Sequence, residues 1–301
     1  TNAITLFQSR LVLASAEDPN TLWFSKQVIQ GTPVEMSDLL TLYVAPTTGV
    51  QGSTGPTRSL AVLDDKLIVF KADACYYISG SGPDNTGSNS QYTEATFISG
   101  TVGCALPQSI VLTPGGLMFQ SDKGIWLLGR DLQTSYIGAP VEHVTQAATV
   151  KSALSIPGTN EIRFTMSNGL TLLYDYYYNQ WGTFTNIPAE SSTVYQGKHT
   201  YLNSRGEVLQ ETPGKYVDGS QPVLLSFTTS WINLGNIQGF QRIYFFYLLA
   251  TYKSPHKIGI QIAYDYSPAI TQQSQITPDN FAAPWGSGDL WGGDQVWGGS
   301  A

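Results

Sequence analysis

Apolar and polar positions along the chain keep a short rhythm. A run of four to eight apolar or alternating residues gives way to a cluster of Gly, Pro, Asp or Asn, and then another run begins. Arg10–Ser15, Thr21–Ser25, Ser59–Leu63, Leu67–Lys71, Cys75–Ser79 and Ser109–Thr113 are such runs. Leu117–Ser121, Ile125–Leu128, Glu161–Met166, Leu170–Tyr174 and Trp181–Thr185 continue the series. Their Leu, Ile, Val, Tyr and Phe content, punctuated by turn residues, predicts antiparallel strands, and helical periodicity is almost absent. The predicted class is all-β.

The runs also repeat. Ser59–Gly80 aligns without a gap on Ser109–Arg130, at an offset of fifty residues. Leu60, Val62, Leu67, Val69 and Tyr76 fall on Ile110, Leu112, Leu117, Phe119 and Trp126, and the turns Asp64-Asp65 and Ala72-Asp73 fall on Pro114-Gly115 and Asp122-Lys123. Looser copies run over Ser152–Asp175 and Thr193–Glu211, and an incomplete first copy over Leu6–Ser25 with its second turn enlarged to Ala16–Asn20. A short hairpin unit recurring every 40 to 50 residues is the signature of propeller blades. One blade cannot bury its faces alone, whereas radial stacking buries them and leaves only short edges. The prediction is a β-propeller of four-stranded blades over residues 1–212, with four to five blades and room for missing sequence before Thr1. Longer strands of another rhythm, Leu224–Trp231, Phe240–Tyr252 and Lys257–Tyr266, predict an appended β platform over 213–281. Residues 282–301 form a Trp/Gly-rich segment in which Trp285, Trp291 and Trp297 recur six residues apart. Those three need a surface to pack on, either the chain's own β-unit or a partner, and they are the candidate subunit or partner contacts.

Composition narrows the functions. Of 301 residues, 12% are charged and 12% aromatic, which excludes a disordered chain. The net charge of −7 disfavours a nucleic-acid binder that works through a basic face. Two cysteines, Cys75 and Cys104, make neither a disulfide-dense scaffold nor a Cys-rich zinc site; they are one bridge or two buried thiols. The longest apolar run, Ile243–Tyr252, is half of what a membrane-spanning helix needs, so no membrane span is predicted. The chain opens at Thr1 within a strand-like run, which suggests a processed product or a fragment.

Candidate chemistry is sparse. His143, His199 and His256 lie far apart, and no nucleophile elbow occurs. Gly82-Pro-Asp-Asn-Thr-Gly87-Ser88 imitates a phosphate-binding loop, but Ser88 stands where the lysine is required and no helix follows. Asp84, Asn85 and Asn89 in the same loop invite weak calcium binding without EF-hand spacing. Asp64, Asp65, Asp73, Glu161 and Asp175 could supply a glycosidase pair, although most sit in turns where Asp bonds its own backbone. Ser121–Trp126 looks like a shortened Asp-box, a hairpin device rather than a catalytic one. The aromatic cluster Tyr174–Tyr178 with Trp181 could stack on sugars or fill a blade. No catalytic residue, cofactor or metal is predicted.

Several segments carry a resemblance. Ile78–Gly87, then Gly103–Ile110 and Thr113–Leu128, are similar to the tail nozzle proteins of short-tailed bacteriophages, also called tail tubular protein B or packaged-DNA stabilisation proteins. Arg10–Ser15, Tyr136–Glu142, Glu161–Phe164, Tyr174–Tyr176 with Trp181, Gln241-Arg242, Ile260–Tyr266 and the closing Trp-Gly repeats agree. The resemblance implies a propeller subunit with an attached platform of strands, assembled as a hexameric ring below the portal and adaptor. That ring retains packaged DNA and forms part of the ejection channel, so the expected localisation is the virion tail, assembled in the bacterial cytoplasm. Family members usually carry sequence before the first blade that contacts the adaptor, and this chain starts without it. A net-negative ring would let genomic DNA slide past without sequence-specific binding. The alternative is a carbohydrate-binding β-propeller, lectin or glycosidase-like.

Overall fold

The protein is described from a computed structural model. It describes residues 3–15, 17–18, 20–44, 55–215, 217–218, 221–233, 235, 243–248 and 257–277. The fold is all-β, built from consecutive antiparallel meanders that form the blades of a β-propeller. The first sheet is β1 (Ala3–Phe7), β2 (Arg10–Ala14), β3 (Thr21–Ser25) and β4 (Met36–Tyr43). The second is β5 (Ser59–Leu63), β6 (Lys66–Phe70), β7 (Cys75–Ile78) and β8 (Thr96–Ser99). The third is β9 (Val111–Thr113), β10 (Gly116–Ser121), β11 (Gly124–Gly129) and β12 (Thr134–Tyr136). A one-turn helix α1 (Glu142–Ala147) leads to the fourth: β13 (Val150–Ile156), β14 (Glu161–Met166), β15 (Thr171–Asp175) and β16 (Gln180–Phe184). The fifth has three strands, β17 (Ala189–Tyr195), β18 (Lys198–Asn203) and β19 (Val208–Gln210).

The fifty-residue repeat is visible in the hydrogen-bond register. Ala61 pairs with Ile68 in the second blade, and Val111 pairs with Met118 in the third. Two features differ from the reading of the sequence. The first copy is a full four-stranded blade, because β1 and β4 flank the run that was legible. Each outer strand, β4, β8 and β12, adds Ser, Thr or Asp to its pattern, since it has only one neighbour and less surface to bury.

Side-chain alternation explains why the blades stack. In the second blade Leu60, Leu67, Val69, Tyr76 and Ile78 join one core with Phe7, Val12, Leu22 and Phe24 of the first blade. The intervening residues Ala61, Leu63, Ile68, Phe70 and Cys75 join another core with Leu117, Phe119 and Leu128 of the third. Met118 and Ile125 of the third blade then meet Ile162, Phe164 and Leu172 of the fourth. A strand buried on both faces reads as a continuous apolar run, as in Leu67–Phe70, because each side of the sheet has a sheet against it.

By its contacts the chain divides into two units, Thr1–Val223 and Leu224–Ala301, placing the boundary beyond the predicted residue 212. A two-residue-per-strand hairpin, β20 (Val217–Asp218) with β21 (Gln221–Pro222), closes the first unit. The second unit contains β22 (Ile258–Ile262) paired with β23 (Gln272–Ile276). The strands predicted over Leu224–Trp231 and Phe240–Tyr252 are not formed among the described residues, where 224–231 and 243–248 carry no ladder. Trp285, Trp291 and Trp297 lie outside the described residues.

Candidate functional site

Side-chain contacts between blades align their loop ends. Gln8 in the β1–β2 turn donates to the Gly80 carbonyl after β7, and Arg130 after β11 pairs with Asp64 in the β5–β6 turn. One end of the blade unit therefore gathers the β1–β2, β5–β6 and β7–β8 connections with those after β11 and β15. Asp64, Asp65, Asp84 and Asp131 are exposed there and Asp175 is half-exposed. This end holds most of the candidate residues, and the structure shows what each does.

The phosphate-loop imitation is a closed turn. Asp84 Oδ1 accepts from the backbone amides of Thr86 and Ser88 at 2.9 and 3.0 Å, and from Thr86 Oγ1 at 2.5 Å. Its Oδ2 accepts from Asn89 Nδ2 at 3.0 Å. Those bonds, the Thr86 hydroxyl first, hold the carboxyl below its usual range. The amides of Thr86 and Ser88 that would meet a phosphate are thus committed to Asp84, and both of its carboxylate oxygens already accept hydrogen bonds. Asn85 Oδ1 accepts from the Gln27 amide at 3.0 Å, joining the loop to the first blade. Gly80 sits at φ +97°, where a Cβ would run into the Gln91 carbonyl, so the loop can close only with glycine there.

The loop is also anchored from below by a residue that the sequence marks only as the first of the run Arg10–Ser15. Arg10 is 2% exposed, and its guanidinium donates to the carbonyls of Ser25 (2.8 Å) and Pro83. Tyr92, at the far end of the loop, packs its ring against Phe24 and Phe7 at centroid distances of 5.0 and 6.0 Å. Lys71 is buried likewise, its Nζ 3.0 Å from Asn20 Oδ1 of the first blade, and burial lowers its pKa.

Of the remaining candidate carboxylates Asp73 is exposed in the β6–β7 turn, and the others serve as structural partners. Asp65 pairs with Lys66 at 2.6 Å. Asp175 Oδ1 accepts from the amides of Tyr177 and Tyr178 at 2.8 and 3.0 Å, forming the tight turn before β16. In the Asp-box-like segment Ser121 Oγ donates to Asp122, and Trp126 packs on Tyr136, which is a turn-and-packing role. Of the aromatic cluster, Tyr174 and Trp181 pack at a centroid distance of 4.8 Å with their rings tilted by 44°, and Trp181 donates to the Ile137 carbonyl. Tyr177 and Tyr178 stand out from the turn, 70% and 67% exposed.

One titratable cluster does assemble, between the fourth and fifth blades. Arg163 of β14 donates to Glu161 Oε2 at 2.7 Å and to Glu211 Oε2 at 2.8 Å, and its Nη1 lies 3.1 Å from His199 Nδ1. The Phe184 ring covers the guanidinium at 5.1 Å. Because Arg163 can only donate, His199 Nδ1 accepts and its proton sits on Nε2, which is buried without a partner. Burial, then the Arg163 charge, pushes His199 down to about 4, against an upward pull from Glu211. Unfolded chain protonates this histidine near 6.5. Between pH 6.5 and 4 the unfolded state therefore binds more protons, so the contribution is complete above 6.5 and is lost as pH falls. Urea unfolding from pH 7 to 4 should lose about 1–3 kcal/mol in this window through His199, and the His199→Asn variant should lack that component. His143 is exposed on α1, and His256 lies outside the described residues.

The two cysteines are unbridged and buried. Desolvation pushes the Cys75 thiol up to about 12, and burial raises Cys104 as well. A thiolate is the reactive form, so an aromatic disulfide reagent should label neither thiol in the native protein and both after unfolding. No cluster of three His, Cys, Asp or Glu side chains placed to hold a metal occurs among the described residues.

No protein-family model matches the chain, and no curated protein matches it. Solved structures similar to it include BamB from Moraxella catarrhalis, at 11% identity and TM-score 0.44 over 72% of this chain. PorZ, from the type-IX secretion system of Porphyromonas gingivalis, is similar at 10% identity and TM-score 0.43 over 74% of this chain. The chain spans 59% of the first structure's length and 27% of the second's. The chain's own consecutive four-stranded antiparallel sheets define an all-β protein of propeller blades, followed by a second β-unit. Among the described residues no helix is long and apolar enough to cross a membrane.

Proposed function

We propose that the chain is a structural subunit of a short-tailed phage virion, acting as tail nozzle and head-to-tail closure. The observation that carries this reading is the sequence resemblance over Ile78–Gly87, Gly103–Ile110 and Thr113–Leu128. Those segments are the β7–β8 loop, the approach to β9, and the β9–β11 meander, the part of the chain that joins the second and third blades. In this role copies of the chain form a ring, the hexamer that the resemblance implies, against portal, adaptor and other tail proteins. The ring retains packaged DNA and passes it at ejection without reading its sequence. The role is mechanical and non-enzymatic, and it is carried out in the virion tail after assembly in the host cytoplasm. Support comes from the carboxylates of the loop-bearing end, which serve as structural partners, and from a net charge of −7, which keeps DNA from sticking. A virus unable to make this chain should fill its heads and then lose most of the packaged DNA. Full retention of DNA in such particles would contradict the reading.

A second reading is favoured by one observation. Tyr177 and Tyr178 are presented on a turn fixed by Asp175, in the manner of aromatic side chains that stack on sugar rings. A carbohydrate-binding propeller should then bind a glycan array, and Tyr177→Ala with Tyr178→Ala should abolish that binding; a blank array disposes of this reading.

A further inference from the structure

Successive blades of the first unit are joined in two different ways. Apolar cores hold the first blade to the second, the second to the third and the third to the fourth. Among the described residues no such core joins the fourth blade to the fifth. Residues opposite one another in a ladder share a face, so Ser152, Arg163, Thr165 and Thr171, all buried, lie on one face of the fourth blade with Leu154 and Ile156. The ties from that face to the fifth blade are polar. Lys151 of β13 pairs with Glu190 of β17 at 2.6 Å, and the Ser192 amide donates to Ser152 Oγ at 3.0 Å. Arg163 holds Glu211 and buried His199. Of the titratable groups around His199, Glu161 and Arg163 come from β14, Glu211 follows β19, and Tyr201 stacks on the ring from its own strand at 5.4 Å. Asp175, opposite Glu161 in the ladder, is committed to its own turn. Glu161 and Glu211 both bind the guanidinium, from a rim where their side chains are 21% and 52% exposed.

We infer that the fifth blade is an acid-released unit, parting from the fourth along this seam when His199 takes a proton while the first four blades stay folded. Neutral His199 suits the closed seam because Nδ1 offers a lone pair to Arg163. A protonated ring has no lone pair, so that bond is lost and two cations stand 3.1 Å apart in a buried place. The Nε2–H has no acceptor in the closed seam, so opening breaks no bond there and gives it water. A buried polar network holds only while its members are satisfied. The apolar cores between the other blades contain no histidine or carboxylate, so acid acts on this seam and spares those three. Release of the blade is independent of any place in a virion.

The test is amide hydrogen exchange on the full chain at pH 7.5 and pH 5, corrected for the intrinsic pH dependence of exchange, in wild type and His199→Asn. Wild-type amides of β17, β18 and β19 should lose about thirtyfold in protection together, the factor for a histidine that titrates near 6.5 when released and at about 4 when enclosed. Amides of β6, β10 and β14 should change less than about threefold. In His199→Asn the side-chain oxygen keeps an acceptor for Arg163 and nothing titrates at the position, so the pH dependence should vanish. The comparison is of the change with pH, so a variant whose fifth blade is weaker at both values still decides the matter. Should that blade show no protection at either pH, NMR titration of the wild-type His199 ring decides instead: its protonation must track the loss of protection. Equal loss in all five blades, a fifth blade unchanged at pH 5, a variant with the wild-type pH dependence, or a ring that protonates while the blade stays protected would overturn the inference.

Discussion

Phe119→Ala is expected to destabilise the blade unit by about 3–5 kcal/mol, measured as a loss of unfolding free energy in urea. Phe119 is fully buried in the core between the second and third blades, where its ring meets Phe70 at a centroid distance of 4.8 Å. Leu117 and Leu128 from its own sheet, and Leu63, Ile68 and Cys75 from the other, complete that core. Two opposed sheets cannot both relax into the space left by one ring, so the cavity term is added to the lost transfer energy. The conservative change Phe119→Leu should cost well under half as much. If Phe119→Ala unfolds like wild type, the two sheets are not packed on one another.

Arg10→Ala is expected to cost about 3 kcal/mol, with a different signature. Removing this guanidinium strips the Ser25 and Pro83 carbonyls of their buried donor and empties the space beneath the 79–92 loop. The loop should then open locally, so brief proteolysis of the native variant should nick it between Ser79 and Tyr92. Phe119→Ala should show no such nick, because its damage lies in the core and not under the loop. Arg10→Lys should fall between the two alleles, since an ammonium reaches one carbonyl at a time and lacks the planar fork. An Arg10→Ala protein with an intact loop and wild-type stability would show that Asp84 and Tyr92 hold the loop without help.

What was legible in the sequence follows from how many neighbours each strand has. The β5–β6–β7 and β9–β10–β11 meanders were readable residue by residue because both faces are buried, which forces apolar runs between forced turns. Ser59–Leu63 and Glu161–Met166 fall on β5 and β14 as predicted. The fourth strands were readable in part: β16 was legible as Trp181–Thr185, whereas Thr134–Tyr136 and Thr96–Ser99 are only three and four residues long and close the outer edge of a blade. The buried cations were missed for another reason. Arg and Lys are so seldom buried that nothing in Arg10, Lys71 or Arg163 marks them until the acceptors contributed by distant loops are in place. The Arg163 cluster depends on His199 and Glu211, which lie a whole blade further along the chain, and only folding brings them together.

The measurement that bears most directly on the proposed function is peptide mass spectrometry of density-purified virus particles from the source organism, searched for this chain. The account predicts the chain in every particle preparation, at a fixed low ratio to the capsid protein. Recovery of the chain only from the soluble fraction of infected cells, with none in the particles, would contradict it.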